Sequence, residues 1–161
     1  MTTAPSEPVR TDVPEGTIRL VRSVAVPPDR VWHCLTDPDC FKSWWRRNVE
    51  IDPREGGRFG EPWADPEGRG RETKAQITAF HPPHGLVLVW ADDAWSFDTV
   101  VSIWIEPDGS GSQVTIEHQG WMSAPERERA ELMRSHREDW NTHLTHWASH
   151  AEDTQAHPQG H

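Results

Sequence analysis

Histidines near the C-terminal end are the side chains of this sequence best suited to chemistry. His136, His143 and His150 recur at seven-residue intervals among ten histidines, and His146 lies between them. Histidines one helical turn apart can chelate zinc or nickel. However, the HExxH pattern of zinc peptidases is absent, and the spacing supplies no cysteine or carboxylate partner. We therefore predict a solvated row on the flank of a helix and no metal site.

Cys34 and Cys40 are the two thiols of the chain, six residues apart in a region predicted to be helical. Free cysteines are commonly buried and inert, so we expect two reduced thiols and no disulfide. A metal site would need more ligands than this pair supplies. No cofactor is predicted.

His118 alternates with Val114 and Ile116 in a predicted strand, which places it on their buried face. Two interpretations follow. The imidazole either acts as a general base or orienting donor in a pocket, or it is a structural histidine whose nitrogens are bonded to backbone or to a nearby acid.

Arg137 lies near the line that joins Met133 and Trp140 on a helical wheel. It either reaches into a pocket and binds a carboxylate or phosphate of a ligand, or it forms an ion pair with Asp92, Asp93 or another carboxylate of the sheet. Both interpretations stay open at the level of sequence.

Two other classes of chemistry lack support. Ser123 follows His118 by five residues, but no triad or nucleophile elbow surrounds it, so acyl transfer is not indicated. No glycine-rich loop lies between a strand and a helix, so nucleotide binding is not indicated either.

The helix that must position these side chains is predicted over residues 124–150. Ser123 is the expected N-cap, and Glu126 would complete a capping box. The apolar residues of this segment recur at helical spacing and form one stripe on an otherwise polar helix: Met133, Trp140, Leu144, Trp147 and Ala151. Such a helix covers an apolar surface.

The preceding chain predicts that surface to be a sheet. A two-faced strand over residues 16–26 is followed by two short helices over 29–36 and 37–45. About six strands follow, at 48–52, 58–63, 70–80, 86–91, 95–106 and 113–121, and the segment 86–91 is apolar on both faces and therefore central. This order predicts an α+β fold in which an antiparallel sheet curls around the long helix and the short helices close one end.

Composition limits the partners of the 161-residue chain. Its formal charge of −10 argues against binding to nucleic acid or to an anionic membrane. No segment approaches the ~20 apolar residues of a membrane span, so we expect a soluble, cytoplasmic protein. One domain is predicted over residues 16–151, with a disordered lead at 1–15 and a disordered tail at 152–161.

The chain contains ten tryptophans and no tyrosine. Large amphipathic rings in that number indicate apolar surfaces around a cavity or a partner, although a fully packed aromatic core is the alternative. The aromatic residues predicted to line a cavity, or to pack the core if none exists, are Phe59, Trp90, Trp121 and Trp140.

Four segments resemble one known family. They are PPDRVWHCLTDPDCFKSWW at 27–45, GGRF at 56–59, HPPHGLVLVW at 81–90 and VTIEHQGW at 114–121. In this order they resemble the START-like, or SRPBCC, superfamily and, within it, the homologues of the activator of the heat-shock-protein ATPase. The resemblance covers about residues 16–151 and implies a helix-grip fold with an elongated apolar cavity between sheet and C-terminal helix. Members bind lipids, sterols or polyketides, and some cyclise or hydroxylate their substrates. No catalytic motif carries over residue by residue.

Three functions are therefore predicted from the sequence. The first is binding of a small apolar or aromatic ligand between the sheet and the last helix, by Phe59, Trp90, His118, Trp121, Met133, Arg137 and Trp140. The second is a cyclase- or hydratase-like enzyme that uses His118 and Arg137 in the same cavity. The third is an interaction protein, a chaperone cofactor or a homodimer, with a surface around Trp104.

Overall fold

A curved antiparallel sheet carries one long helix across its inner face. The computed structural model describes residues 13–45 and 48–156. Within them the helices and strands are, in chain order, β1 (Ile18–Val24), α1 (Pro28–Thr36), α2 (Pro38–Trp44), β2 (Glu50–Ile51), β3 (Arg58–Ala64), β4 (Gly70–His81), β5 (Gly85–Asp92), β6 (Thr99–Asp108), β7 (Gly111–Gln119) and α3 (Glu126–Ala156). This arrangement confirms the predicted α+β, helix-grip architecture.

The sheet has the order β1-β7-β6-β5-β4-β3-β2 within the described residues. All neighbours run antiparallel, and each pair except β1 with β7 is consecutive in sequence. β5 occupies the middle of the sheet, as its apolar residues on both faces predict. The β6–β7 hairpin turns at Gly109, whose φ of 61° suits glycine.

The two short helices form next to each other because Asp37 ends one and begins the next. Each helix starts with a proline, whose fixed φ suits the first turn and whose missing N–H costs no hydrogen bond there. The Asp37 carboxylate accepts a hydrogen bond from the backbone N–H of Cys40 at 3.0 Å. It therefore caps the second helix.

Indole N–H groups fasten the three helices to one another. Trp147 of α3 donates to the carbonyl of Val31 at 3.0 Å, and Trp44 of α2 donates to the carbonyl of Cys34 at 2.7 Å. The Trp44 and Trp147 rings stack 5.5 Å apart and nearly parallel. The packing closes one end of the space between α3 and the sheet, as predicted.

The apolar stripe of α3 is confirmed in its C-terminal half, where Trp140, Leu144, Trp147 and Ala151 are buried. Met133 differs, since it is only half-buried and packs against a separate small cluster around Ile18, Trp121 and Ala124. The buried stripe thus extends over about three turns of the helix, from Trp140 to Ala151.

The start of α3 differs from the prediction. The helix begins at Glu126, and Ser123 ends a short 3-10 turn, Trp121–Ser123, so the predicted capping box is wrong. The Arg129 guanidinium instead donates to the carbonyls of Trp121, Met122 and Ala124. The Arg129 side chain thereby satisfies the carbonyl groups of the turn, and the helix begins two residues after Ala124, at Glu126.

Some segment boundaries also differ. β6 begins at Thr99 and not at Trp95, because Trp95 packs within the preceding connection. It stacks on Phe97 at 4.7 Å there and meets the ring of Trp121 edge-to-face at 5.4 Å. α3 continues to Ala156, so the predicted end of the domain at 151 falls inside the helix. Residues 1–12 of the predicted lead and 157–161 of the predicted tail lie outside the described residues.

The helices of the described ranges are also informative about membranes. None of them combines the length and the apolar character that a membrane crossing requires.

Candidate functional site

Two spaces of different character lie between α3 and the sheet. The deeper one, beneath Trp140 and Leu144, is an apolar void of about 30 Å³. That volume is far below the roughly 300–1,000 Å³ that is typical of small-molecule sites. Packed rings therefore fill most of the position where an elongated apolar cavity was expected.

The second space is a cleft of about 610 Å³ between the first half of α3 and strands β3, β4 and β5. Its volume falls within the range of roughly 300–1,000 Å³ that is typical of small-molecule sites. We call it the cleft, and it combines four indoles with acids and imidazoles: Trp45, Trp63, Trp90, Trp140, Glu61, Asp92, Asp139, His136 and His143. It is the candidate functional site.

Aromatic rings that line both spaces separate the cleft from the void. Trp45 stacks on the His143 imidazole, with ring centroids 3.6 Å apart and planes nearly parallel. Trp90 contacts Trp140 at 5.4 Å and Phe59 at 5.1 Å. Because aromatic pairs in such geometries resist displacement, the apolar side of the cleft is preformed.

Two of these rings carry a donor without a partner. The indole N–H groups of Trp45 and Trp90 are buried, and they make no hydrogen bond with any residue of the described ranges. Buried donors are usually paired. Both rings line the cleft, so a small rotation of either indole would bring its N–H within reach of a ligand oxygen there.

The polar wall of the cleft centres on Asp92. The Trp63 indole donates to the Thr73 hydroxyl at 3.1 Å, and that hydroxyl donates to the Asp92 carboxylate at 2.5 Å. Burial raises the pKa of Asp92 above its ordinary value, and the hydrogen bond from Thr73 and the nearby His136 oppose this shift. The negative charges of Asp93 and Asp139 add smaller increases to the pKa. A carboxyl with a raised pKa at the edge of a cleft is typical of binding and catalytic sites.

His118 lies beneath the cleft and is completely buried. Trp140 donates its indole N–H to His118 Nδ1 at 3.0 Å, and His118 Nε2 is 2.7 Å from the Thr99 hydroxyl. An indole only donates, so Nδ1 is the acceptor and the proton of the neutral ring resides on Nε2. The Thr99 hydroxyl in turn donates to the carbonyl of Trp90 at 2.8 Å. This chain of hydrogen bonds fixes Trp140 against the strand that carries Trp90.

Burial keeps the His118 imidazole neutral. It lowers the pKa of His118 well below its usual value, and the nearby His136 lowers it further. Both ring nitrogens are engaged, so the structure favours the structural interpretation of this histidine over the general base.

The residues predicted from sequence to bind ligand occupy three environments. Trp90 and Trp140 line the cleft and the void, and Phe59 lines the void. Trp121 is fully buried behind them, 4.6 Å from the His118 ring, in the small cluster that Met133 joins. Arg137 is exposed and lines neither space, so it shares no cavity with His118.

The prediction of a solvated histidine flank holds for His146, which is exposed, and is wrong for the other three histidines of the helix. His136 and His143 are half-buried and line the cleft, and His150 is half-buried near the end of α3. The reason is that residues 136, 140, 143, 147 and 150 alternate in steps of four and three, which places the histidines in the same stripe as the tryptophans.

Sequence reasoning missed most of the polar wall. Glu61 lies two residues after the inward-facing Phe59 on β3, and Thr73 lies two residues before the inward-facing Ala75 on β4. Period-two alternation therefore places both side chains on the inner face, and it was a usable signal. Asp139 precedes Trp140 on α3, and only the curvature of the sheet brings it opposite Asp92. No local pattern predicts that meeting.

Comparisons with known proteins agree with this fold. The family described as "Activator of Hsp90 ATPase homolog 1-like protein" matches residues 25–152 of the chain. A search of curated proteins by sequence finds no match.

Several solved structures share the fold. A protein of Nitrosomonas europaea is 22% identical with a TM-score of 0.70, over 87% of this chain and 96% of its own. A protein of Chromobacterium violaceum is 21% identical with a TM-score of 0.68, over 85% and 97%. DynU16, described as a protein in the dynemicin biosynthetic locus, is 19% identical with a TM-score of 0.68, over 86% of this chain and 48% of its own. At these identities the likeness shows the fold alone.

Proposed function

The chain belongs to the family of Activator of Hsp90 ATPase homolog 1-like proteins, and from that premise we propose that it binds a small aromatic ligand in the cleft. The observation that carries the proposal is the cleft itself, a space of about 610 Å³ lined by four indoles on a fold whose members often bind ligands. The neighbouring void, at about 30 Å³, is too small for any such molecule.

The polar groups of the cleft narrow the chemistry of the ligand. The N–H groups of Trp45 and Trp90 call for an acceptor, such as a carbonyl or ether oxygen. The carboxylates of Asp92 and Asp139 call for donors, such as hydroxyl groups. An aromatic compound that carries both, for example a hydroxylated aromatic ketone, matches the two sides of the cleft. A fold neighbour described as belonging to a biosynthetic locus is compatible with this class.

Blocking the cleft tests the proposal. Ser135 lines the cleft from α3 and is half-buried, so Ser135→Phe should fill the opening without disturbing the core. Thr142→Phe is the matched control, because Thr142 is exposed on the same helix and lines neither space. Binding is measured by quenching of tryptophan fluorescence with a panel of naringenin, emodin and a hydroxynaphthoquinone, alongside native mass spectrometry of protein isolated from cells.

We expect at least one panel compound to bind the wild type and the Thr142→Phe variant with equal affinity. Ser135→Phe should weaken that binding by about tenfold or more, a loss of about 1.4 kcal/mol. Binding that is unchanged in Ser135→Phe would reject the cleft. A wild type that binds no panel compound and carries no small molecule from cells would reject the ligand class.

Asp92 supports a second candidate, a cyclase- or hydratase-like enzyme. The supporting observation is a carboxyl of raised pKa beside the space where the ligand would lie. In this form of the enzyme hypothesis Asp92 takes the role that sequence analysis gave to His118 and Arg137. Asp92→Asn should then abolish turnover of a bound compound while leaving its affinity within about threefold.

The remaining expectations concern partners and location. Trp104 is half-buried and stacks on His81 at 6.2 Å on the outer face of the sheet. Self-association through that face stays a prediction, which light scattering after size exclusion would test. A cytoplasmic location stays a prediction as well.

A further inference from the structure

Three potential metal ligands meet at the end of the molecule away from the cleft. Cys34 lies on α1, Cys40 on α2 and His150 in the last turns of α3. The two sulfur atoms are 3.2 Å apart. The two sulfurs and one imidazole nitrogen all lie within 4.8 Å of one another.

These separations are close to those of a tetrahedral zinc site. Zinc binds thiolate sulfur at about 2.3 Å and imidazole nitrogen at about 2.0–2.1 Å, which places neighbouring ligand atoms roughly 3.5–3.8 Å apart. The two sulfurs would separate by about half an ångström and the imidazole would approach by about one ångström. Side-chain rotations of that size need no change in the helices.

The chemistry of the donors selects a soft cation. Two thiolates and an imidazole favour d10 ions such as Zn²⁺ or Cu⁺ over Mg²⁺ or Ca²⁺, which prefer oxygen ligands. Burial and the neighbouring Cys34 thiol raise the pKa of Cys40 to about 12, so this thiol is protonated when no cation is bound. Zn²⁺ would displace one proton from each thiol, and the resulting Zn²⁺ and two thiolates are together neutral in this buried position.

The surrounding fold holds the ligands in place. Asp37 caps α2 through the N–H of Cys40 and so fixes the first turn that carries this thiol. The indole of Trp44 donates to the carbonyl of Cys34 and fixes the other cysteine. Cys34 itself is fully buried, whereas Cys40 and His150 are half-buried and leave a path from solvent.

We propose that Cys34, Cys40 and His150 form a binding site for a thiophilic d10 cation, Zn²⁺ or Cu⁺, that joins α1, α2 and α3. Two protein sulfurs and one nitrogen leave a fourth position for water in a zinc complex. The site is separate from the cleft and independent of the proposed ligand.

The test uses the full chain, reduced with a phosphine and freed of metal. Co²⁺ is added as a spectroscopic substitute for Zn²⁺, because thiolate ligands give an intense charge-transfer absorption that histidine and carboxylate ligands do not. Zn²⁺ is then titrated against the Co²⁺ complex. The variants are Cys40→Ser and His150→Ala, with His146→Ala as control, since His146 is exposed one turn before His150.

We expect one equivalent of Co²⁺ to produce the thiolate band, one equivalent of Zn²⁺ to remove it, and Zn²⁺ binding to release two protons. Cys40→Ser should abolish the band and His150→Ala should weaken Zn²⁺ binding by about tenfold or more, while His146→Ala changes neither. Circular dichroism of the metal-free variants checks that they fold.

Two results would overturn the proposal. The first is a wild type that is folded and reduced yet shows no thiolate band. The second is Zn²⁺ affinity that falls in His146→Ala and is retained in Cys40→Ser, since that pattern identifies adventitious binding by surface histidines.

Discussion

Burial decides the behaviour of the titratable side chains in this protein. His118 has a partner for each ring nitrogen and no access to solvent, so it serves to orient Trp140. Asp92 keeps one edge in the cleft and has a raised pKa. The same physical cause, desolvation of the charged form, makes one residue structural and the other a candidate for function.

The lowered pKa of His118 predicts that stability falls in mild acid. In the unfolded chain a histidine binds a proton below about pH 6.5, whereas folded His118 does not bind it until a much lower pH. The unfolded state therefore gains protons first, and the free energy of unfolding should fall by up to about 1.4 kcal/mol per pH unit below that point from this residue.

Urea unfolding between pH 7 and pH 5 measures this effect. His118→Gln retains one donor and one acceptor but does not titrate, so its pH dependence should be smaller than that of the wild type by about one proton. His146→Gln changes an exposed histidine and should leave the dependence as it is. Equal slopes in the wild type and His118→Gln would show that His118 accepts a proton while folded.

The raised pKa of Asp92 predicts that a neutral replacement of this residue stabilises the folded protein at pH 7. Folding costs free energy at pH 7 because the charged carboxylate loses water, and the unfolded chain pays no such cost. Asp92→Asn keeps an oxygen for the Thr73 hydroxyl and removes the charge, so its melting temperature at pH 7 should exceed that of the wild type. The difference should shrink as the pH falls through the folded pKa, because folded Asp92 is then protonated.

Calorimetry at pH 7 and pH 4 checks this prediction, with Asp98→Asn as a control at an exposed position. An Asp92→Asn variant that is less stable than the wild type at both pH values would contradict burial of the charged carboxylate as the cause of the raised pKa. Stability gained at the expense of activity is a common result of relieving a destabilised group in a functional site.

At the scale of elements, the junction between α1 and α2 depends on one side chain. Asp37→Ala removes the acceptor for the N–H of Cys40 and should lower the free energy of unfolding by about 1 kcal/mol. Asp39→Ala is the control, since Asp39 is an exposed acid in the first turn of the same helix and makes no cap. Chemical denaturation of both variants measures the two losses in the free energy of unfolding. Equal losses would show a general effect of charge and would contradict the cap.

In the long helix, the spacing of the apolar residues predicts which face is buried, but it does not predict which polar residues share that face. Trp140, Leu144, Trp147 and Ala151 were predicted to be buried from their spacing, and they are. His136 and His143 share that face, but their polarity suggested solvent. The sheet curves away from the first half of α3, so the polar members of the stripe line a cleft and not a packed core. That curvature is a tertiary property that no local pattern contains.

For the whole molecule, strand alternation, turn residues and the order of elements were enough to predict the architecture, because each is a local signal. The site was predicted less well. Phe59, Trp90 and Trp140 were identified as cavity residues because large rings on inward positions meet in any helix-grip arrangement. Whether those rings fill the space or line a cavity depends on packing differences of about one ångström. Here they leave only the void beneath the helix, and they line the cleft beside it.

The most direct test of the central claim observes the tryptophan side chains themselves. In a two-dimensional ¹H–¹⁵N NMR spectrum of the ¹⁵N-labelled protein, each indole N–H gives a separate signal. Each signal is assigned by replacing one tryptophan at a time with phenylalanine. Addition of the panel compound that binds should shift the signals of Trp45 and Trp90, whose N–H groups have no partner among the described residues. The signals of Trp44 and Trp147, which are bonded to backbone carbonyls, should stay in place. Shifts confined to Trp104 on the outer face would contradict a binding site between the helix and the sheet.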